Sequence, residues 1–374
     1  MTPDDNVGSP LEEEAVALLK RRGLHVLEPF TTNAPVESRS RIGILAKPRI
    51  TDFYPKNYCA QAAMDHAAKF APHALLIPWS EAATAMFADM NCRKYAYYGN
   101  PDHKSFLASA QYNWENGGAL KTYLLARYRG RQLKKLHLAT LAKYSNVGDV
   151  ADNDAKFYRS NGLKNVEYIQ NIWVDRFRDK PPALSSDAAD ASKHINVIAN
   201  IGILEGTANR YGLAYLAEQV VPRLGNLMPN KSWTAHILGS GRLSPKTAKT
   251  LSYSPNVMVR GFVDDIDREM SESGIFVCVN NGTRYNVGHT RYLHAWSLGC
   301  CVIAHTAVRE AMPELVHDQN ALLGNSGEEI AILIARAAAD RKLRQRIGAE
   351  GYQTFRQHFT ADRVVPKILS ALSL

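Results

Sequence analysis

The sequence predicts two doubly wound α/β domains facing a central cleft. Three observations carry that expectation. At 374 residues the chain exceeds what one hydrophobic core usually serves. Short apolar runs alternate with helix-length amphipathic segments, the pattern of a parallel sheet covered on both faces. The alternation breaks once, over residues 178–193, where Pro, Ser, Asp and Ala crowd together without apolar periodicity, and then resumes.

The first half opens on Ser9-Pro10-Leu11-Glu12, a capping box with proline at the first helical position, and Gly23 follows as a stop, so a helix is expected over 10–22. Strands are expected at His25–Leu27, Ile42–Leu45, Ala74–Ile77, Tyr95–Tyr98 and Val166–Ile169. After the linker they are expected at Ile195–Ile198, Ala235–Leu238, Val257–Val259, Ile275–Val279 and Cys301–Ala304. Helices near 210–224, 244–251, 265–273 and 290–298 separate these. The domain boundaries follow: residues 1–177, a linker 178–193, a second domain 194–358 and a closing helix 359–374. In open α/β sheets the ligand sits beyond the carboxyl ends of the strands, which places the site in the cleft.

Composition narrows the chemistry. The formal net charge is +9 and the pI near 9.2, which favours an anionic partner. Nucleic acid is not expected, because the cations cluster without a helix-turn-helix, zinc or RNA-recognition signature. Dinucleotide-dependent oxidoreduction is set aside because His236–Gly241, HILGSG, supplies only G-x-G. The five cysteines, Cys59, Cys92, Cys278, Cys300 and Cys301, have no metal-type spacing and imply no disulfide framework. The N-terminus lacks the basic start and apolar run of a signal peptide, and no run of about 18 apolar residues occurs. A cytoplasmic protein is expected, with peripheral contact at the inner face of a membrane. That contact is suggested by residues 121–143, which mix seven basic residues with apolar ones at helical spacing and contain no acidic residue.

The densest stretch runs from Asn280 to Gly324. Within it, Gly288-His289-Thr290-Arg291-Tyr292-Leu293-His294-Ala295-Trp296-Ser297-Leu298-Gly299 overlays the pattern G-x-x-K-x-x-E-A-x-x-x-G, followed by a buried strand and a Pro-Glu-Leu-Val turn. Upstream, Asn209-Arg210-Tyr211-Gly212 follows a strand, HILGSG ends one in glycines, and Val259–Met270, VRGFVDDIDREM, joins a strand to an acidic helix start. In order and spacing these segments resemble the nucleotide-sugar half of GT-B glycosyltransferases, especially the large retaining family four. Ser145–Asp175 is similar to the end of that family's first domain, closing on Asn171 and Asp175, and Ala361–Leu372 is similar to its final helix, which crosses back onto the first domain.

The resemblance implies the GT-B fold, two Rossmann-like domains, and transfer of a sugar from a nucleoside-diphosphate donor, a UDP- or GDP-sugar, to a glycan or lipid-linked acceptor. It implies retention, no metal and no cofactor beyond the donor, in polysaccharide or glycolipid synthesis. Arg210 and Arg291, at the starts of two helices, combine guanidinium forks with helix N-termini, both suited to phosphate. Gly288 permits close backbone approach. Glu314 matches a glutamate of the loop after the Cys301–Ala304 strand, and Asp102 and His103 stand where family members carry an acceptor-side histidine. The family's paired glutamates fall on Asn286 and His294, which offer an amide to a sugar hydroxyl and a ring nitrogen to a ribose hydroxyl, without a carboxylate's charge. That substitution motivates a second reading, a GT-B pseudoenzyme that binds a glycan or a partner.

Overall fold

The computed structural model describes residues 40–54, 60–177, 194–229, 232–280, 285–288 and 290–373, with Ala17 and Arg21 before them. Except for those two residues, the expected opening helix lies outside the described residues, as do the run His25–Leu27 and the linker 178–193.

In the first domain α1 (Arg41–Ala46) and α2 (Ala60–Ala68) precede β1 (Ala74–Pro78), α3 (Glu81–Met86), β2 (Arg93–Tyr98), α4 (Asp102–Glu115), α5 (Leu120–Leu141), β3 (Asn146–Asp149), α6 (Asp152–Ser160) and β4 (Val166–Tyr168). The strands form a parallel sheet in the order β1-β2-β3-β4. The strand expected at Ile42–Leu45 is instead helix α1. The Ser40 hydroxyl accepts from the Gly43 amide at 3.1 Å, so a side-chain cap starts a helical turn where an apolar run alone suggested a strand. Asp102 and His103 begin α4, with the left-handed Asn100 (φ 59°) turning the chain out of β2.

The second domain runs β5 (His194–Asn200), α7 (Thr207–Tyr215), a π-helical turn (Leu216–Val220), α8 (Val221–Leu227), β6 (Ser232–Leu238), α9 (Pro245–Leu251), β7 (Val257–Gly261), α10 (Ile266–Ser273), β8 (Ile275–Cys278), α11 (Thr290–Ser297), β9 (Cys301–His305), α12 (Val308–Ala311), β10 (Leu322–Gly324), α13 (Gly327–Ala339) and α14 (Arg341–His358). Its strands form a parallel sheet, β10-β9-β8-β5-β6-β7. Central strands β8 and β9 are almost wholly buried, which explains their continuous apolar runs. Cys278, Cys300 and Cys301 are buried thiols in this core. Helix α15 (Ala361–Leu372) packs Val364, Ile368 and Leu372 against Tyr95, Tyr97 and Ile169 of the first sheet.

Packing fixes α11 closely. Tyr292, Leu293 and Trp296 are fully buried, and the Trp296 indole donates to the Asn320 carbonyl at 3.0 Å. Helix α14 lies so near that a Cβ at Gly348 would come 1.9 Å from the Gly299 carbonyl oxygen. Only hydrogen fits there.

A polar network fills the first domain at the carboxyl end of β2. The Tyr54 hydroxyl donates to Asp102 (2.7 Å) and Glu81 (3.0 Å), and the Asp102 amide donates to Glu81 at 2.7 Å. His137 stands 3.5 Å from Glu81 and shares a short hydrogen bond with the Tyr98 hydroxyl. Burial, reinforced by the Asp102 charge, pushes the Glu81 carboxyl up to about 8, and burial holds His137 down to about 3.

This packing can be tested at two points. Gly348→Ala should lower the unfolding free energy by about 1–3 kcal/mol in urea titration, the cost of overpacking; an unchanged midpoint would show that α14 shifts freely. Glu81 keeps a proton that the unfolded chain releases above its ordinary 4.5, so its stabilising contribution is complete at low pH and lost as pH rises through about 8. Wild-type stability should therefore fall between about pH 7 and pH 8.5, and Glu81→Gln should reduce that slope. Equal slopes would show that Glu81 is ionised in the folded protein.

Candidate active site

The carboxyl ends of β5, β6 and β7 open into a cavity of about 440 Å³. Its floor is Ile201-Gly202 from β5 and Gly239-Ser240 from β6. Glycine is needed at both loops: Gly202 has φ 95° and Gly239 φ 138°, and a Cβ on Gly239 would meet the Gly202 carbonyl oxygen at 1.8 Å. Phe262, Val263 and Ile266, after β7, give the cavity an apolar lining, to which Trp173 from the end of the first domain adds. Thr290, Arg291 and His294 enter from the first turns of α11.

Arg291 is the site's cation. Its guanidinium lies over Gly202, with Nη2 about 3.5 Å from where a glycine side chain would begin, and its buried Nη1 has no hydrogen-bond partner among the described residues. No acidic side chain among the described residues lines the cavity. Beneath it, the amide of Asn209, itself buried, donates to the Ile203 carbonyl at 2.7 Å and accepts from Asn280 at 2.9 Å, which ties the start of α7 to β5 and β8. Arg210, one residue on, does not line the cavity; it lies 5.9 Å over the Tyr112 ring of the first domain, with no carboxylate partner among the described residues.

His294 follows Arg291 by one helical turn and reaches the same space. Its Nε2 is 2.6 Å from Asp267 of α10, and its ring lies 5.6 Å from Trp173. Burial and the nearby Arg176 hold its pKa down to about 4. Because Arg176 also pairs with Asp267, that carboxylate's charge is already neutralised, and the imidazole stays neutral, donating Nε2–H.

The loop that leads into α11 is gripped by the first domain. The Asn286 carbonyl accepts from Lys104, itself 2.8 Å from Asp154, and from Asn153 at 3.2 Å. The Tyr285 hydroxyl bonds Asn100 and Ser105. The Asn286 side-chain amide turns back into its own domain and donates to the Ala307 carbonyl (2.8 Å) and to Glu310 (3.0 Å). Gly288 makes its close approach to the Val150 carbonyl, 2.9 Å from where a Cβ would sit. Glu314 accepts from Tyr168 (2.8 Å) and Gln170 (3.0 Å), a tie between domains.

Of the residues singled out in the sequence, Arg291 and His294 meet in one cavity. Asn286, Gly288 and Glu314 lie along the seam beside it. Asp102 belongs to the Tyr54–Glu81 network, and His103 is buried against Phe157, its pKa held to about 4 by burial and the neighbouring Lys134 and Lys104. Neither lines the cavity. Sequence reasoning missed Trp173, Phe262, Asp267, Lys104 and Tyr285. Phe262 and Asp267 lie inside the quoted VRGFVDDIDREM segment, and an aromatic next to that strand's closing glycine was the available signal.

Residues 195–340 match the glycosyl transferases group 1 family model. No curated protein sequence matches the chain. Among solved structures it is similar to TarM of S. aureus, with a TM-score of 0.61 and 13% identity over 84% of this chain; it spans 58% of that one, less than two thirds. It is similar to HepE of Anabaena, solved with UDP and glucose, with a TM-score of 0.64 and 16% identity over 96% of this chain and 88% of the other. A third neighbour is the sucrose-phosphate synthase of Thermosynechococcus elongatus, with a TM-score of 0.60 and 15% identity over 90% of this chain and 80% of the other. These neighbours share the two parallel sheets and flanking helices. Residues 195–340 are therefore similar to a glycosyl transferases group 1 domain, in a chain with the GT-B architecture of these neighbours.

Proposed function

We propose that the protein is a glycosyltransferase that moves a sugar from a nucleoside-diphosphate donor to a glycan or lipid-linked acceptor, with retention and without a metal. The observation that carries this is the half-buried Arg291 guanidinium at the first turn of a helix, facing a cavity with no acidic side chain among the described residues, with its buried Nη1 lacking a partner among them. A buried charged nitrogen without an acceptor is costly, and a diphosphate supplies the missing charge and acceptors. The apolar and aromatic lining of Phe262, Ile266 and Trp173 has the chemistry for a nucleobase. His294 offers a neutral ring to the ribose.

Departure of the diphosphate leaves negative charge on the leaving group while the sugar becomes cation-like. Arg291 and the α11 N-terminus stand ready for that charge before reaction, while Arg210, over Tyr112, lies outside the cavity. This reading gives the neutralising role to Arg291. The UDP bound to HepE supports a UDP-sugar as donor, with a GDP-sugar as the second choice. On the seam, Asn286 with Glu310 and the backbone at Gly288 would face the sugar, Glu314 would hold the seam closed, and Asp102 and His103 would shape the acceptor side. No helix among the described residues is long and apolar enough to cross a membrane. The proposed place of action is the cytoplasmic face of one.

A second reading, a GT-B protein that binds its ligand without transfer, is favoured by one observation: the Asn286 amide is engaged by Ala307 and Glu310. Release of free nucleoside diphosphate from a bound donor separates the two. Arg291→Ala should weaken nucleoside-diphosphate binding by about 1.5–3 kcal/mol in calorimetry, the range for charged hydrogen bonds. Unchanged affinity would overturn the phosphate assignment.

A further inference from the structure

The surface of α5 has a feature that the donor site does not use. Its 22 residues include Lys121, Arg127, Arg129, Arg131, Lys134 and Lys135 and no acidic side chain. Two of the cations belong to the domain's own packing: Arg129 lies over the Phe53 and Phe106 rings and Lys134 over Phe157. The others are exposed. At 100° per residue, Leu120, Leu124 and Tyr128 fall on one stripe with Lys121, Arg131 and Lys135. Leu120 is 52% exposed, Leu124 56% and Tyr128 37%, while the opposite face buries Gly130, Leu133, His137 and Leu141.

The stripe extends beyond the helix. The Tyr128 hydroxyl donates to the Leu45 carbonyl, bringing the exposed Leu45 alongside. Leucines ringed by lysine and arginine, with Tyr128 among them, match the boundary layer of a bilayer: apolar side chains enter the acyl region while long cationic side chains reach phosphates.

We propose that this face of α5 docks on an anionic phospholipid bilayer. Charge selects the occupant, since four exposed cations with no carboxylate on the helix fit a surface of phosphodiesters. Position gives docking a purpose. Helix α5 packs on α4, whose other side contacts α7 of the second domain through Tyr211, with its hydroxyl donating to the Ala108 carbonyl at 3.0 Å. A bilayer under α5 therefore lies two helices, α5 and α4, away from the seam with the second domain, on the side of the chain proposed to receive the acceptor. The inference rests on the proposed acceptor class for its purpose, but docking itself is read without any donor.

The test is co-sedimentation of the full chain with phosphatidylcholine vesicles, with and without one third phosphatidylglycerol. Binding should require the anionic lipid and fall with added salt. Arg131→Gln with Lys135→Gln should cut the partition coefficient by about tenfold or more. Leu120→Ser with Leu124→Ser should weaken it at constant charge, while nucleoside-diphosphate affinity stays unchanged in both double variants. Wild-type binding in both variants, or none to anionic vesicles, overturns the proposal. So does tight RNA binding without vesicle binding, or a dimer that the leucine variants dissolve. Loss of nucleotide binding with vesicle binding retained would overturn the transferase reading and leave docking standing.

Discussion

The Arg291 guanidinium sits in a cavity without a carboxylate among the described residues, and its placement depends on how tightly α11 is held. Three side chains of that eight-residue helix, Tyr292, Leu293 and Trp296, are fully buried, and α14 presses on the turn that follows it, close enough to exclude a methyl group at Gly348. A helix packed on so many sides holds its first turn in place, so the buried Nη1 of Arg291 stays without a partner among the described residues. An unpaired buried nitrogen costs free energy of order 1–3 kcal/mol. The domain bears that cost at one point, and an anion would remove it.

The second sheet supplies the rest of the geometry. Gly202 and Gly239 let the loops after β5 and β6 touch, so the floor is backbone and the cation lies directly over it. The Asn209–Asn280 pair secures α7 to the same floor. Across the seam, Lys104, Asn153, Asn100 and Ser105 hold the 285–288 loop, so the first domain helps to shape the segment from which α11 emerges. Donor cavity and acceptor domain are thereby mechanically connected through a few hydrogen bonds at backbone carbonyls and one tyrosine.

Much of this was legible in the chain. Buried parallel strands write themselves as unbroken apolar runs, and those at 95–98, 275–278 and 301–304 were placed within a residue or two. Strand β3, Asn146-Val147-Gly148-Asp149, carries one large apolar side chain in four, and β10 is three residues long, so neither gave a periodic signal. Ile42–Leu45 misled for the opposite reason: four residues are too few to tell a strand from a capped helical turn. At the site, spacing along one helix brought Arg291 and His294 to one face without any tertiary knowledge. Asp267, Trp173 and Lys104 come from distant segments, and only the folded chain shows that they converge.

The central claim is that the cavity takes a nucleoside diphosphate against Arg291. The most direct measurement is a thermal-unfolding screen of the full chain against UDP, GDP, ADP, CMP and TDP and their common sugars. A ligand at about 100 times its dissociation constant adds roughly 2.7 kcal/mol of stability. The account predicts stabilisation by one nucleotide class, strongest as the diphosphate and abolished with Arg291 removed. An unfolding temperature unmoved by every nucleotide would contradict it.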